Sequence, residues 1–115
     1  MSKLAKKVLA LLKEVFPFVR IDEEVSIKYK NQQLYVDFYI PIYSIAIEVN
    51  GGQHYKFVKF YHQDADGYKN QVKRDKLKAE WADINSINLV SISYKNMPKT
   101  KEDLLQMINK EVLGG

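Results

Sequence analysis

Apolar and polar residues alternate through the middle of this chain and recur every three or four positions towards its ends. The alternation is clearest in YVDFYIPIYSIAIEVN. It predicts two strands, Tyr35–Ile40 and Ser44–Val49, joined by a turn through Pro41. On the first, Val36, Phe38 and Ile40 share a face and Asp37 lies opposite with Tyr35 and Tyr39; on the second, Ile45, Ile47 and Val49 share a face and Ala46, Glu48 and Asn50 the other. Nearer the start, Leu4, Val8, Leu11, Leu12 and Val15 fall at helical spacing after a capping Ser2, and Pro17 stops the helix near Phe16. A strand around Val25–Tyr29 and a polar turn at Lys30-Asn31-Gln32-Gln33 precede the first alternating run. After Asn50-Gly51-Gly52 comes an irregular stretch, then a helix over Tyr68–Trp81 by propensity. INLVSISY, Ile87 to Tyr94, is apolar enough to be a strand buried on both faces. Thr100 with Asp103 three residues on predicts a capped start to a last helix, Lys101–Val112. The order α-β-β-β-α-β-α predicts one α/β domain over residues 1–115, with a mixed sheet and helices on both faces.

If the two apolar rows of the paired strands lie on one side, Asp37, Glu48 and Asn50 converge on the other, followed at once by Gly51-Gly52-Gln53-His54. Carboxylate oxygens on neighbouring strands suit Mg2+ or Mn2+, which prefer oxygen ligands and retain water. Such an ion can bridge a phosphate oxygen and acidify an attacking water. His54, titrating near working pH, is a candidate general base or leaving-group acid. Each residue has a plainer reading too. Asp37 could be a solvent-facing hairpin carboxylate, and a lone histidine is more often structural. Glu48 is different, because an unpaired carboxylate in an apolar central strand is expensive to bury.

The remaining composition narrows the field only a little. Absence of cysteine rules out thiolate-bound zinc. No apolar run approaches the roughly 18 residues that span a bilayer, so no membrane partner is expected and a cytoplasmic location fits. MSKLAKKVLALLKEVF reads as an amphipathic helix, since Lys13 and Glu14 interrupt its apolar run. The net charge of +4 leans mildly towards polyanions. Lys69, Lys73, Arg74, Lys76 and Lys78 on the Tyr68–Trp81 helix, with Gln53, Lys56 and Lys59 before it, are candidate DNA contacts; a merely solvated face is the usual fate of such a run. Tyr55, Phe57, Phe60 and Tyr61 could stack on bases or belong to the core. Asp64-Ala65-Asp66-Gly67 lacks the later ligands of a calcium loop.

VDFYIPIYSIAIEVNGGQHY, followed by KRDKLKAEW and INLVSISY, resembles the PD-(D/E)XK nuclease superfamily, nearest its very-short-patch-repair and EDxHD homing-endonuclease branch. The likeness runs from about Val25 to Ile108. It implies a restriction-endonuclease-like three-layer α/β/α core with a mixed sheet, and hydrolysis of DNA phosphodiesters with Mg2+ or Mn2+. Asp37 matches the strand aspartate that binds metal, Glu48 the acidic position after it, His54 the signature histidine and Asp75 the aspartate of the downstream Arg-Asp pair. Asn50 stands where the superfamily has lysine and this branch aspartate; its carbonyl oxygen can still coordinate, but it brings no charge. The branch's early helical glutamate has no match at Ala5-Lys6-Lys7-Val8. Glu14 and Glu24 are the carboxylates that could replace it, Glu24 being nearer in sequence to the sheet. The expected function is thus a DNA endonuclease or nickase from a phage or mobile-element setting, cutting both strands only as a homodimer. The competing expectation is a degenerate, non-catalytic nucleic-acid-binding module.

Overall fold

The computed structural model describes residues 1–51 and 65–114, with side chains from residue 69 onwards in the second stretch. Helix α1, Lys3–Val15, begins where the Ser2 hydroxyl accepts from the Ala5 N–H at 3.1 Å and ends at Phe16, one residue before Pro17. Strands β1 (Asp22–Tyr29), β2 (Gln32–Ile40) and β3 (Ile45–Asn50) follow. A short 3-10 turn, Pro41–Tyr43, links the last two, and Ser44 closes it in the left-handed region at φ 52°. Helix α2, Ala65–Ile84, leads to β4, Asn88–Ser93, and α3, Lys101–Gly114, ends the described chain. The α3 cap is reciprocal. The Asp103 N–H donates to Thr100 Oγ1 at 3.1 Å and the Thr100 N–H to Asp103 Oδ2 at 3.3 Å, so two helix-end donors are satisfied at once.

The sheet order is β1-β2-β3-β4, antiparallel except for the parallel β3–β4 pair. The fold is therefore mixed α/β around a mixed four-stranded sheet. Phe38↔Ile47 and Ile40↔Ile45 are direct partners, so the two apolar rows do lie on one side. That side meets Ala5, Val8 and Leu12 of α1 and Leu104 and Ile108 of α3. Ala46, Tyr39 and Leu89, one residue out of phase, meet Leu77 and Trp81 of α2 on the other side. Ile27, Leu34 and Val36 join this second cluster, although alternation puts Leu34 and Val36 in the Phe38 row. The β1–β2 ribbon thus turns between Val36 and Phe38, level with Glu24, whose φ is 48°. Irregular backbone in one strand of an antiparallel pair increases the local twist.

Two expectations change. β4 lies at the sheet edge: Val90 and Ile92 are buried on one face, while on the other Leu89 is half-buried against α2 and Ser91 is exposed, so the second face is covered only in part. The strand buried on both faces is β3, where Ile45, Ala46, Ile47, Glu48 and Asn50 are all buried. α2 also extends beyond Tyr68–Trp81 at both ends, through Gly67 at one and to Ile84 at the other. Among the described residues no helix is long and apolar enough to cross a membrane.

The hairpin end of β1–β2 is tied to α2 by Glu80, which accepts from the Tyr29 hydroxyl at 2.8 Å and pairs with the Lys30 ammonium. Lys30, and then Tyr29, hold the Glu80 carboxyl below its ordinary range, and Glu80 in turn raises Lys30. A depressed carboxylate stabilises the fold above its unfolded pKa and loses that contribution as pH falls through its folded value. The raised ammonium acts at the other end: its contribution is complete below its unfolded pKa and is lost as pH rises through the folded one. All three groups are solvent-accessible, so the effect is modest and screened by salt. Thermal melts of Glu80→Gln should therefore show a small loss at neutral pH that disappears in acid below the carboxylate's folded pKa. A loss of the same size at low pH would show that the ion pair is not its source.

Candidate active site

β3 is paired on both sides, so its side chains are placed by two ladders. Ile45 and Ile47 fill the core against α1 and α3, and alternation turns Glu48 and Asn50 the other way. The β2–β3 ladder has only three pairs and stops at Phe38↔Ile47. One step further Asp37 stands opposite Glu48, and the strands part. The Val49 N–H donates instead to Asp37 Oδ2, at 2.7 Å. A side chain thus replaces a main-chain acceptor, and a half-buried backbone donor stays satisfied.

A cavity of about 490 Å³ lies where the strands separate, lined by Glu24, Asp37, Glu48 and Lys78 among others. Glu24 belongs there by register: Glu23↔Phe38 and Val25↔Val36 flank it, so it faces Asp37 across the ladder. Glu48↔Ser91 extends the same row onto β4. Glu24, Asp37, Glu48 and Ser91 therefore form one polar line across four strands. The left-handed backbone of Glu24 costs on the order of 1 kcal/mol. Its carboxylate is largely exposed and lies 3.2 Å from the Met1 ammonium. Glu14 is exposed on α1 and does not line the cavity.

Lys78 is the residue that sequence reasoning assigned elsewhere. Leu77 and Trp81 seat α2 on the second core cluster, and Lys78, beside Leu77, reaches Glu48 Oε1. Both side chains are nearly covered, at 11% and 8% exposure. Burial of either charge is tolerable only with such a partner. The signal available in the sequence was Glu48 itself, since an acid in an apolar central strand requires a cation from the element packed across it. Lys69, Lys73, Arg74 and Lys76 differ from Lys78 in being exposed on α2.

Asp75 lies outside the carboxylate cavity. With Arg74, Gln71 and Gln33 it lines a second cleft of about 360 Å³, which shares Tyr35 and Lys78 with the first. Gln53, His54, Lys56 and Lys59, and the aromatic residues Tyr55, Phe57, Phe60 and Tyr61, lie outside the described residues.

Asp37, Glu48 and Asn50 offer oxygen donors from adjacent strands. Asn50 is 9% exposed, and its Oδ1 is buried with no hydrogen-bond partner among the described residues. An orphaned buried carbonyl oxygen suits a hard cation, but Asn50, two residues beyond Glu48 on β3, is not among the described residues that line the carboxylate cavity. Among the described residues no three carboxylate or imidazole groups cluster closely enough to chelate an ion by themselves. A donor set built here combines the two acids, the amide oxygen and water.

No family model and no solved structure matches the chain. It is 36% identical over 70 residues to the uncharacterized protein 307L of invertebrate iridescent virus 6, covering 59% of this chain and 36% of that protein. It is 34% identical over 61 residues to the uncharacterized protein 033L of invertebrate iridescent virus 3, covering 53% of this chain and 31% of the relative. The chain is thus similar, over rather more than half of its length, to viral proteins of which it spans about a third.

Proposed function

We propose that this chain is a divalent-metal-dependent DNA endonuclease or nickase, hydrolysing phosphodiester bonds in a restriction-endonuclease-like core. The reading is carried by one observation: Asp37 and Glu48 face each other across parted strands and line a common cavity with Lys78. Asp37, Glu48 and Asn50 would hold Mg2+ or Mn2+, which when bound acidifies water and neutralises phosphate charge. Lys78 brings positive charge to where a scissile phosphate would sit and where negative charge grows during phosphoryl transfer. Glu24 closes the row at its open end. His54 remains the candidate general base or leaving-group acid, and Asp75, the match to the downstream aspartate of the family pattern, would act from the adjoining cleft. The exposed Lys69, Lys73, Arg74 and Lys76 would contact phosphates, setting affinity and its salt dependence but no sequence preference. One such site cuts one strand, so double-strand cleavage would need a homodimer. The relatives are uncharacterized viral proteins, which fits a virus or mobile-element setting; action on DNA in the host cytoplasm is part of this proposal.

The test is a supercoiled plasmid incubated with Mg2+ or Mn2+, with EDTA added, and with Glu48→Ala in place of the parent. Nicked or linear product should form only for the parent with metal. Equal products from parent and variant would end the claim. The second reading, a degenerate binding module, is favoured by the Lys78 ammonium already held by Glu48. It predicts salt-sensitive DNA retention that EDTA leaves unchanged, with no cleavage under any metal.

A further inference from the structure

Tyr35 is an exposed aromatic residue with a specific position. It is 55% exposed and belongs to the walls of both clefts, the carboxylate cavity and the one beside Arg74. It lines the same cavity as Asp37, which it precedes on β2 by two residues, roughly 7 Å along the strand. That is the reach of one nucleotide. Arg74, exposed on α2, lines the second cleft with Tyr35, and its planar guanidinium suits a phosphate.

We infer that the second cleft is a subsite for one unstacked nucleotide beside the scissile phosphate, its base on the Tyr35 ring and its phosphate on Arg74. A base inside a duplex keeps both faces against its neighbours and offers none to a side chain. The preferred substrate class is therefore DNA with a single-stranded stretch next to the cut, such as a gap, flap or frayed end. This deepens the nuclease reading and rests on it, because the subsite is defined by its distance from Asp37. The arrangement is tolerant of sequence, since every base has a face to stack.

Binding is measured without turnover, by fluorescence anisotropy in EDTA, with the full chain and a labelled oligothymidylate of about 12 nucleotides. A duplex of equal length is the comparison. The single strand should bind more tightly than the duplex. Tyr35→Ala should lose about tenfold in affinity for it, and Tyr35→Phe should retain the parent value. Arg74→Ala should reduce the salt slope by about one. Tyr35 is exposed, so both variants should fold, and circular dichroism checks this. Preference for the duplex, or equal affinity of Tyr35→Ala and parent, overturns the subsite. Plasmid nicking that survives alongside Tyr35-independent binding removes the subsite and leaves the nuclease. Tyr35-dependent binding without nicking under any metal removes the nuclease reading and, with it, the scissile phosphate that this subsite was placed beside.

Discussion

Lys78→Met should both unsettle the fold and abolish the proposed cleavage, and the two effects should separate in a double variant. Lys78 and Glu48 are almost covered, so the substitution withdraws the ammonium from a carboxylate held in the central strand. Removing one member of a buried pair costs about 3 kcal/mol or more, far above the value of an exposed pair. Replacing both ends removes most of that penalty, so Lys78→Met with Glu48→Gln should recover much of the denaturation midpoint. Cleavage should not return. A cation aimed at a developing phosphate charge is worth roughly a hundredfold or more in rate, and the double variant would also lack an acid of the proposed metal set. Urea melts and plasmid nicking on the three proteins decide the matter. Parent-like nicking by Lys78→Met would leave Lys78 a structural role only.

Phe38→Ala should be the most damaging substitution for stability alone. Phe38 is fully buried and paired with Ile47 at the last rung of the β2–β3 ladder, in the cluster shared with α1 and α3. Large-to-small changes at such positions cost about 3–5 kcal/mol through lost transfer energy and the cavity left behind. A small domain has about 5–15 kcal/mol in total. Phe38 also lies next to Asp37, so loosening that rung displaces the carboxylate. Chemical denaturation should give a lower midpoint with little change in slope, and any residual nicking should fall further than the folded fraction does. A loss below about 1 kcal/mol would place the centre of the core elsewhere.

Much of this was legible from residue order because local signals and packing agree. Phe38 and Ile47 have the same phase as the rows they complete, so the shared side of Asp37 and Glu48 could be read without coordinates, while the rung that sets them opposite comes from the ladder itself. Ser2, Pro17 and the Thr100–Asp103 box mark helix ends through backbone chemistry that needs no tertiary context. β4 was harder. Its apolar residues suggest double coverage, but Asn88, Ser91 and Ser93 alternate with them, and only the sheet order makes it an edge. The start of α2 is hard to read because the stretch up to Gly67 is irregular and the helix has no clean apolar face to extend. Lys78 could not be told from Lys76 by composition. Leu77 and Trp81 set the rotation of α2, and that rotation separates a covered lysine from exposed ones.

The early end of the β2–β3 ladder has a mechanical consequence. A gap opened by omitting rungs between otherwise paired strands has walls of main chain, and β3 is clamped to β4 along its full length. Asp37 ties β2 to β3 at the mouth through the Val49 amide, so among the described residues these two strands hold the recess in place. The separation of these strands is set during folding, so a ligand that uses it would not meet that entropic cost again on binding.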